Sequence, residues 1–193
     1  MGTVKLNQLL LKSSIEFPCS YIKGKLEKRV YVSIAYPESG EIVSELTRKG
    51  FRRNYNHMYI PSCRDCNSCI SSRINIKEFV FTKSNKRNLR LNKDLTLVVN
   101  NNYNKNRYDL FKQYCKVRHS KGSMKTMTEA EFIGFFHKSI NKTIIYDLVD
   151  SENKLYGSIL LDILKDGYSA VYSFFDPNFS KRGLGKNLIL RII

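Results

Sequence analysis

TIIYDLVDSENKLYGSILLDILKDGYSAVYSFFDP, residues 143–177, is the stretch that decides the fold. It holds three runs of β-branched, aromatic and leucine side chains, at 143–149, 154–164 and 168–175, each of strand length and bounded by turn residues. Asp150-Ser151-Glu152-Asn153 joins the first pair. Lys165-Asp166-Gly167 joins the second, and its Asp-Gly step is a hairpin signal because glycine accepts the positive φ of a tight turn. Three consecutive antiparallel strands are expected. Directly after them, residues 180–185 form a glycine-bearing turn into the apolar run Leu188-Ile189-Leu190, a helix that has only begun where the sequence stops at Ile193.

Outward from this core, residues 95–99 read as a strand. Residues 108–118 place Leu110, Phe111, Tyr114, Cys115 and Arg118 on one helical face. Thr128-Glu129-Ala130-Glu131 is a capping box that opens a helix through Phe132, Ile133, Phe135 and Phe136. Nearer the N-terminus, residues 30–36 alternate as a strand, and Pro37-Glu38-Ser39-Gly40 turns the chain. Ser39 is placed to cap a helix carrying Ile42, Val43 and Leu46, which Gly50 closes in the left-handed conformation. Short strands are expected at 57–60 and 73–81, and polar, basic residues at 82–88 mark a boundary. The pattern is α+β, with domains at 1–82 and 83–193.

Composition narrows the partners. Lys and Arg number 33 against 17 Asp and Glu, a formal net charge of +16 over 193 residues. An AT-rich genome would inflate Lys across a whole surface. Here Arg is clustered too, in the run Lys23 to Arg29, in Arg48, Lys49, Arg52 and Arg53 and in Lys83, Lys86, Arg87, Arg90 and Lys93, so a polyanion such as nucleic acid is the favoured partner. No apolar run approaches the roughly 20 residues of a membrane span. Leu9-Leu10-Leu11 is too short for a signal peptide, and an odd cysteine number without one points to a reducing, cytoplasmic setting.

Three of the five cysteines fall in Cys63-Arg64-Asp65-Cys66-Asn67-Ser68-Cys69. The CxxCxxC spacing lets tight turns aim thiols at one point, and Cys19 is the candidate fourth ligand. Zinc and an iron–sulfur cluster both use such a set, and a knuckle of reduced thiols that merely packs is the third reading. Cys115 lies on an apolar helix face and reads as core.

Ordered words run through the chain: Cys19-x-Tyr21-Ile22-x-Gly24-Lys25-x-Glu27-Lys28; Leu46-x-x-x-Gly50-Phe51-Arg52-Arg53; Tyr59-x-Pro61-x-Cys63-x-x-Cys66-x-x-Cys69-Ile70-x-x-Arg73-Ile74; Arg87-x-x-Arg90-x-Asn92-x-Asp94-Leu95; Tyr114-x-x-x-Arg118-His119-x-x-Gly122-x-Met124; Leu155-x-Gly157; Gly167-x-Ser169-Ala170-Val171-Tyr172-x-Phe174-Phe175-Asp176-Pro177; and Arg182-x-Leu184-Gly185. From about residue 19 onward the chain resembles the bacterial aspartate/glutamate leucyltransferases, relatives of the eukaryotic arginyl-tRNA–protein transferases. Ser71 stands where that family usually has Pro, and Gly183 where it usually has Ser. The family's C-terminal Tyr-Leu-Gly-Tyr segment has no counterpart before Ile193.

The resemblance implies a cysteine-bearing N-terminal domain followed by a GNAT-like (acyl-CoA N-acyltransferase) mixed-sheet domain lacking its last strands, as the three strands and glycine turn also imply. It implies transfer of leucine from leucyl-tRNA to proteins with N-terminal Asp or Glu, which marks them for degradation in the N-degron pathway, without an organic cofactor; a monomer is the simple expectation. Transfer of arginine is the alternative within the chemistry. An acetyl-CoA-dependent acetyltransferase is the alternative within the fold, and a non-catalytic tRNA-binding remnant with a metal knuckle is the alternative outside enzymes.

On this reading Asp162, Asp176 and Tyr172 are the catalytic candidates. Asp162 lies amid apolar strand residues, where an unpaired carboxylate is costly and so needs a purpose or a partner. The anionic acceptor side chain calls for an arginine fork, with Arg73 and Arg118, beside His119, as candidates. Arg52, Arg53, Arg87, Arg90, Arg182, Gly183 and Gly185 are the candidate tRNA contacts, the last three at a helix N-terminus that suits an anion.

Overall fold

Alternation of polar and apolar side chains over Arg29-Val30-Tyr31-Val32-Ser33 makes a strand with one face buried, and that strand organises the N-terminal part of the chain. The structure is a computed structural model that describes residues 9–34, 39–120 and 122–193. In chain order the strands and α-helices are β1 (Leu11–Ser13), β2 (Phe17–Pro18), β3 (Leu26–Glu27), β4 (Arg29–Ser33), α1 (Ser39–Arg48), β5 (Arg52–Asn54), β6 (His57–Pro61), α2 (Lys83–Leu91), β7 (Thr96–Val99), α3 (Lys105–Arg118), α4 (Glu129–His137), β8 (Thr143–Val149), β9 (Leu155–Leu164), β10 (Gly167–Phe175) and α5 (Leu184–Ile192). Short 3-10 helices occupy Ser123–Thr126 and Pro177–Arg182. The chain is α+β, as its sequence predicts.

It divides into two units. The first comprises Met1–Ser72, Lys138–Lys142 and Asp162–Ser169, and the second Arg73–His137, Thr143–Leu161 and Ala170–Ile193. The tip of the β9–β10 hairpin belongs with the first unit. Such long-range membership leaves no local mark in the sequence.

In the first unit the sheet order is β1-β4-β6-β5, antiparallel at each pairing. One face of β4 and β6 carries Val32 opposite Met58, and both are buried against Ile42, Val43 and Leu46 of α1, with Ile34 and Ile140 completing the core. The opposite face carries Arg29, Tyr31 and Tyr59, with Tyr31 directly across from Tyr59. The β2–β3 ladder sets Phe17 across from Glu27. Gly50 ends α1 at φ 90° with its N–H on the Thr47 carbonyl, the expected left-handed stop.

In the second unit the sheet order is β10-β9-β8-β7, with β7 and β8 antiparallel. Leu148, Ile159, Leu161, Leu184 and Leu188 form one core cluster with Leu95 and Tyr156. Phe111, Phe132, Phe136 and Phe174 are fully buried and pack with ring centroids between 4.3 and 6.4 Å. The capping box of α4 is formed. The Thr128 N–H donates to Glu131 Oε2 at 2.7 Å, and the Glu131 N–H donates to Thr128 Oγ1 at 3.3 Å.

Two expectations change. Residues 73–81 make no strand; they run as irregular chain and a turn with Ile74, Ile76 and Val80 exposed, and no β-ladder among the described residues includes them. Residues 82–88, expected as a polar boundary, open α2, capped by Thr82 accepting the Asn85 N–H; the helix buries no residue, so it shows no apolar stripe to read. The turn expected at Pro37-Glu38, the last two positions of the strand expected at 30–36 and the Ser39 side chain lie outside the described residues.

Candidate functional site

Helix α2 and the start of α5 build a hydrogen-bonded polar site in the second unit. The 3-10 turn after Asp176 ends at Gly183, which has φ 60° and ψ 45°, and α5 begins when the Asn187 N–H reaches the Gly183 carbonyl at 3.0 Å. The N–H groups of Leu184, Gly185 and Lys186 therefore point outward along the helix axis, where an anion is favoured. Three asparagines hold the turn. Asn88 Nδ2 donates to the Arg182 and Gly183 carbonyls at 3.1 and 3.2 Å, Asn92 Nδ2 donates to the Arg182 carbonyl at 3.0 Å, and Asn187 Nδ2 donates to Asn88 Oδ1 at 3.0 Å. A Cβ on Gly185 would sit 2.7 Å from the Phe175 ring, so glycine is needed there for close packing. Among the expected tRNA contacts, Arg87 and Arg90 are exposed on α2 beside this turn.

Arg182 has a different job from the expected one. Its Nε donates to Asn92 Oδ1 at 2.9 Å and its Nη2 pairs with Asp94, holding that carboxyl below the usual range. It braces the turn, and Gly183 and Gly185 shape it. The roles of Asn88 and Asn187 escaped the sequence reading, although Asn in a helix interior is unfavourable enough to flag a purpose; Asn92, quoted only within a motif, caps the C-terminal end of α2.

The catalytic candidates have different surroundings. Asp162 and Arg53, expected on substrate and tRNA, pair with each other in the first unit: Arg53 Nε donates to both carboxylate oxygens at 2.9 and 2.8 Å, and both residues are buried. Burial pushes the Asp162 carboxyl up, against the pull of Arg53. A guanidinium so enclosed presents nothing to phosphate, so Arg53 is structural, and Asp162 has the partner that its apolar setting demands. Tyr172 packs among Phe111, Phe135, Phe136 and Phe174, with its hydroxyl 3.9 Å from Cys115 Sγ, and so belongs to the aromatic core. Asp176 caps the 3-10 turn by accepting the Asn178 N–H at 2.9 Å. Arg118 lies over the Phe175 ring at 6.0 Å, His119 meets Tyr114 edge-on, and Arg73 and Arg52 are exposed and half-buried, respectively.

The cysteine turns are ordered but do not form a cage. Cys19 Sγ accepts the N–H groups of Tyr21 and Ile22, both at 3.4 Å. Cys63 and Cys66 pair across a single β-bridge. Lys25 Nζ donates to the Asp65 carbonyl at 3.3 Å and ties the two turns together. All five cysteines are unbridged thiols, and among the described residues no three Cys, His, Asp or Glu side chains converge as metal ligands. Ser68, by hydrogen bonding, lowers the Cys66 thiol, and burial raises Cys115.

Residues 17–87 match the family model described as arginine-tRNA-protein transferase, N terminus, and residues 106–193 match its C-terminus counterpart. The chain belongs to this family of aminoacyl-tRNA–protein transferases. Among relatives named aspartate/glutamate leucyltransferase, that of Saccharophagus degradans is 37% identical over 96% of this chain and 79% of its own length. That of Hahella chejuensis is 33% identical over 96% and 79%, and that of Ruegeria pomeroyi 33% identical over 90% and 64%. No helix of the described residues is long and apolar enough to cross a membrane.

Proposed function

We propose that the chain transfers leucine from leucyl-tRNA to proteins whose N-terminal residue is Asp or Glu, in the cytoplasm. The observation that carries this reading is the docking of α2 against the turn at Arg182–Gly185, which sets an exposed basic helix face beside the open N-terminus of α5. That arrangement suits an RNA 3′ end, with phosphates on Arg87 and Arg90 and the terminal nucleotide at the backbone N–H groups. The leucyltransferase names of the relatives support the donor and the acceptor. The strands β8, β9 and β10 followed by a left-handed glycine and a helix support a GNAT-like reading of the second unit.

The reaction is aminolysis of an ester. The α-amine of the acceptor attacks the aminoacyl carbonyl, a C–N bond forms, the C–O bond to the ribose breaks, and the amine's proton is lost as the ribose oxygen gains one. The ester is already activated, so positioning supplies most of the rate. Asp176, at the end of β10, is the carboxylate proposed to accept the proton, because Asp162 is engaged on both oxygens.

We further propose that a metal ion draws Cys19, Cys63, Cys66 and Cys69 together. Support comes from the tether between their turns, and metal analysis of the purified chain checks it.

The transferase reading is tested with radiolabelled leucyl-tRNA or arginyl-tRNA and peptides beginning with Asp, Glu or Ala. Leucine on the acidic peptides alone is the expected result. No transfer from either tRNA by folded protein defeats the reading and favours a chain that binds tRNA without reacting.

A further inference from the structure

Arg29 and Glu27 lie two residues apart across the β3–β4 junction and meet on the outer side of the first unit's sheet. Arg29 Nε donates to Glu27 Oε1 at 2.5 Å. The guanidinium carbon lies 4.9 Å from the Phe17 ring centroid and 4.6 Å from that of Tyr59. The rings and the carboxylate therefore fix the plane of the guanidinium. Its Arg29 side chain is 30% exposed, and among the described residues its two Nη groups have no hydrogen-bond partner. Glu27 is only 4% exposed, and its second oxygen, Oε2, is buried without a donor.

This is an incomplete ion pair. A buried carboxylate with one oxygen unsatisfied is costly unless the arrangement serves something else. What it presents is a guanidinium held rigid on three sides, with its two-pronged edge outward. That edge matches one planar carboxylate in two parallel hydrogen bonds, and rigid support lowers the ordering cost of making them. A nucleic-acid backbone fits it less well. Phosphate binding draws on uncompensated positive charge, and this cation carries its own counter-ion.

Resting on the transfer reading above, we propose that Arg29 is the specificity-determining residue that grips the acidic side chain of the acceptor's N-terminal Asp or Glu. Glu27, Phe17 and Tyr59 are its positioning residues. Asn or Gln at the acceptor N-terminus, with one carbonyl oxygen and a donating NH2, cannot fill the fork.

The test compares the wild-type chain with Arg29→Gln and Arg29→Lys in the transfer assay, with KM for an Asp-initiated peptide and for leucyl-tRNA measured separately. Circular dichroism confirms folding, and the lysine variant keeps the charge while removing the fork. The expected result is an acceptor KM raised about 10- to 100-fold in Arg29→Gln, a smaller rise in Arg29→Lys, and kcat and the KM for leucyl-tRNA unmoved. An unchanged acceptor KM in both variants overturns the proposal. A raised KM for leucyl-tRNA with an unmoved acceptor KM also overturns it and makes the fork a phosphate contact. Wild-type protein that transfers nothing defeats the functional reading instead. Calorimetry with Asp-Ala and Asn-Ala then decides Arg29 separately: binding of Asp-Ala alone, lost in Arg29→Gln, supports the role, and its absence removes it.

Discussion

Asp162 shows how far a single residue's chemistry can be read from its neighbours. A carboxylate among leucines must be paired or neutral, and the structure pairs it with Arg53, 109 residues away. The need for a partner was legible; the identity of the partner was not. Asp176 is the carboxylate left to test. Because Asn caps a helix as well as Asp does, Asp176→Asn is expected to leave the melting temperature unchanged and to lower kcat about 100-fold or more, measured at saturating peptide. His57 carries a second prediction. Burial first, and then the charge of Arg29, hold its imidazole below the ordinary 6.5. The unfolded chain thus binds its proton more readily, so the stability tied to His57 is complete above about pH 6.5 and falls away as pH drops through the lower folded value. Urea unfolding between pH 7.5 and 5 should show this loss, and His57→Gln should flatten it. In Arg29→Gln the imidazole should titrate higher, as followed by NMR.

At the scale of elements, helices and strands were legible wherever a cap, a turn or a periodic stripe marked them. The helix opened by Thr128 and Glu131 is one case, and the strands of 143–175 are another. Helix α2 was missed because it has no buried side. Its tertiary job is carried by Asn88 and Asn92, whose amides hold a turn some 90 residues further along. Helix α3 is tied to β8 in a similar way. Arg107, fully buried, donates from Nε and Nη2 to Asp147 at 3.0 and 2.7 Å and also reaches the carbonyls of Asn100 and Asn102. Asp147→Ala strands that guanidinium without its charge partner, and a loss of about 3–5 kcal/mol in the second unit's stability is expected from chemical denaturation.

For the molecule as a whole, the charge of +16 predicts binding to RNA that weakens steeply with salt. A plot of log affinity for tRNA against log salt concentration should be linear. Arg87→Gln and Arg90→Gln should each reduce its slope by about 1, whereas Arg182→Gln, whose guanidinium braces the turn, should weaken binding without that change in slope. The sequence by itself determined the α+β class, the meander and its turns, the capped helices and the ordered motifs of the transferase family. Each of these depends on residues within a few positions of one another, or on their order along the chain. Only the tertiary structure decided that Arg53 and Asp162 neutralise each other, that Arg182 braces rather than grips, and that Glu27 leaves an arginine fork at Arg29 facing outward. Those outcomes depend on which distant side chains burial forces together, and an ion pair across 109 residues leaves no period or spacing to read.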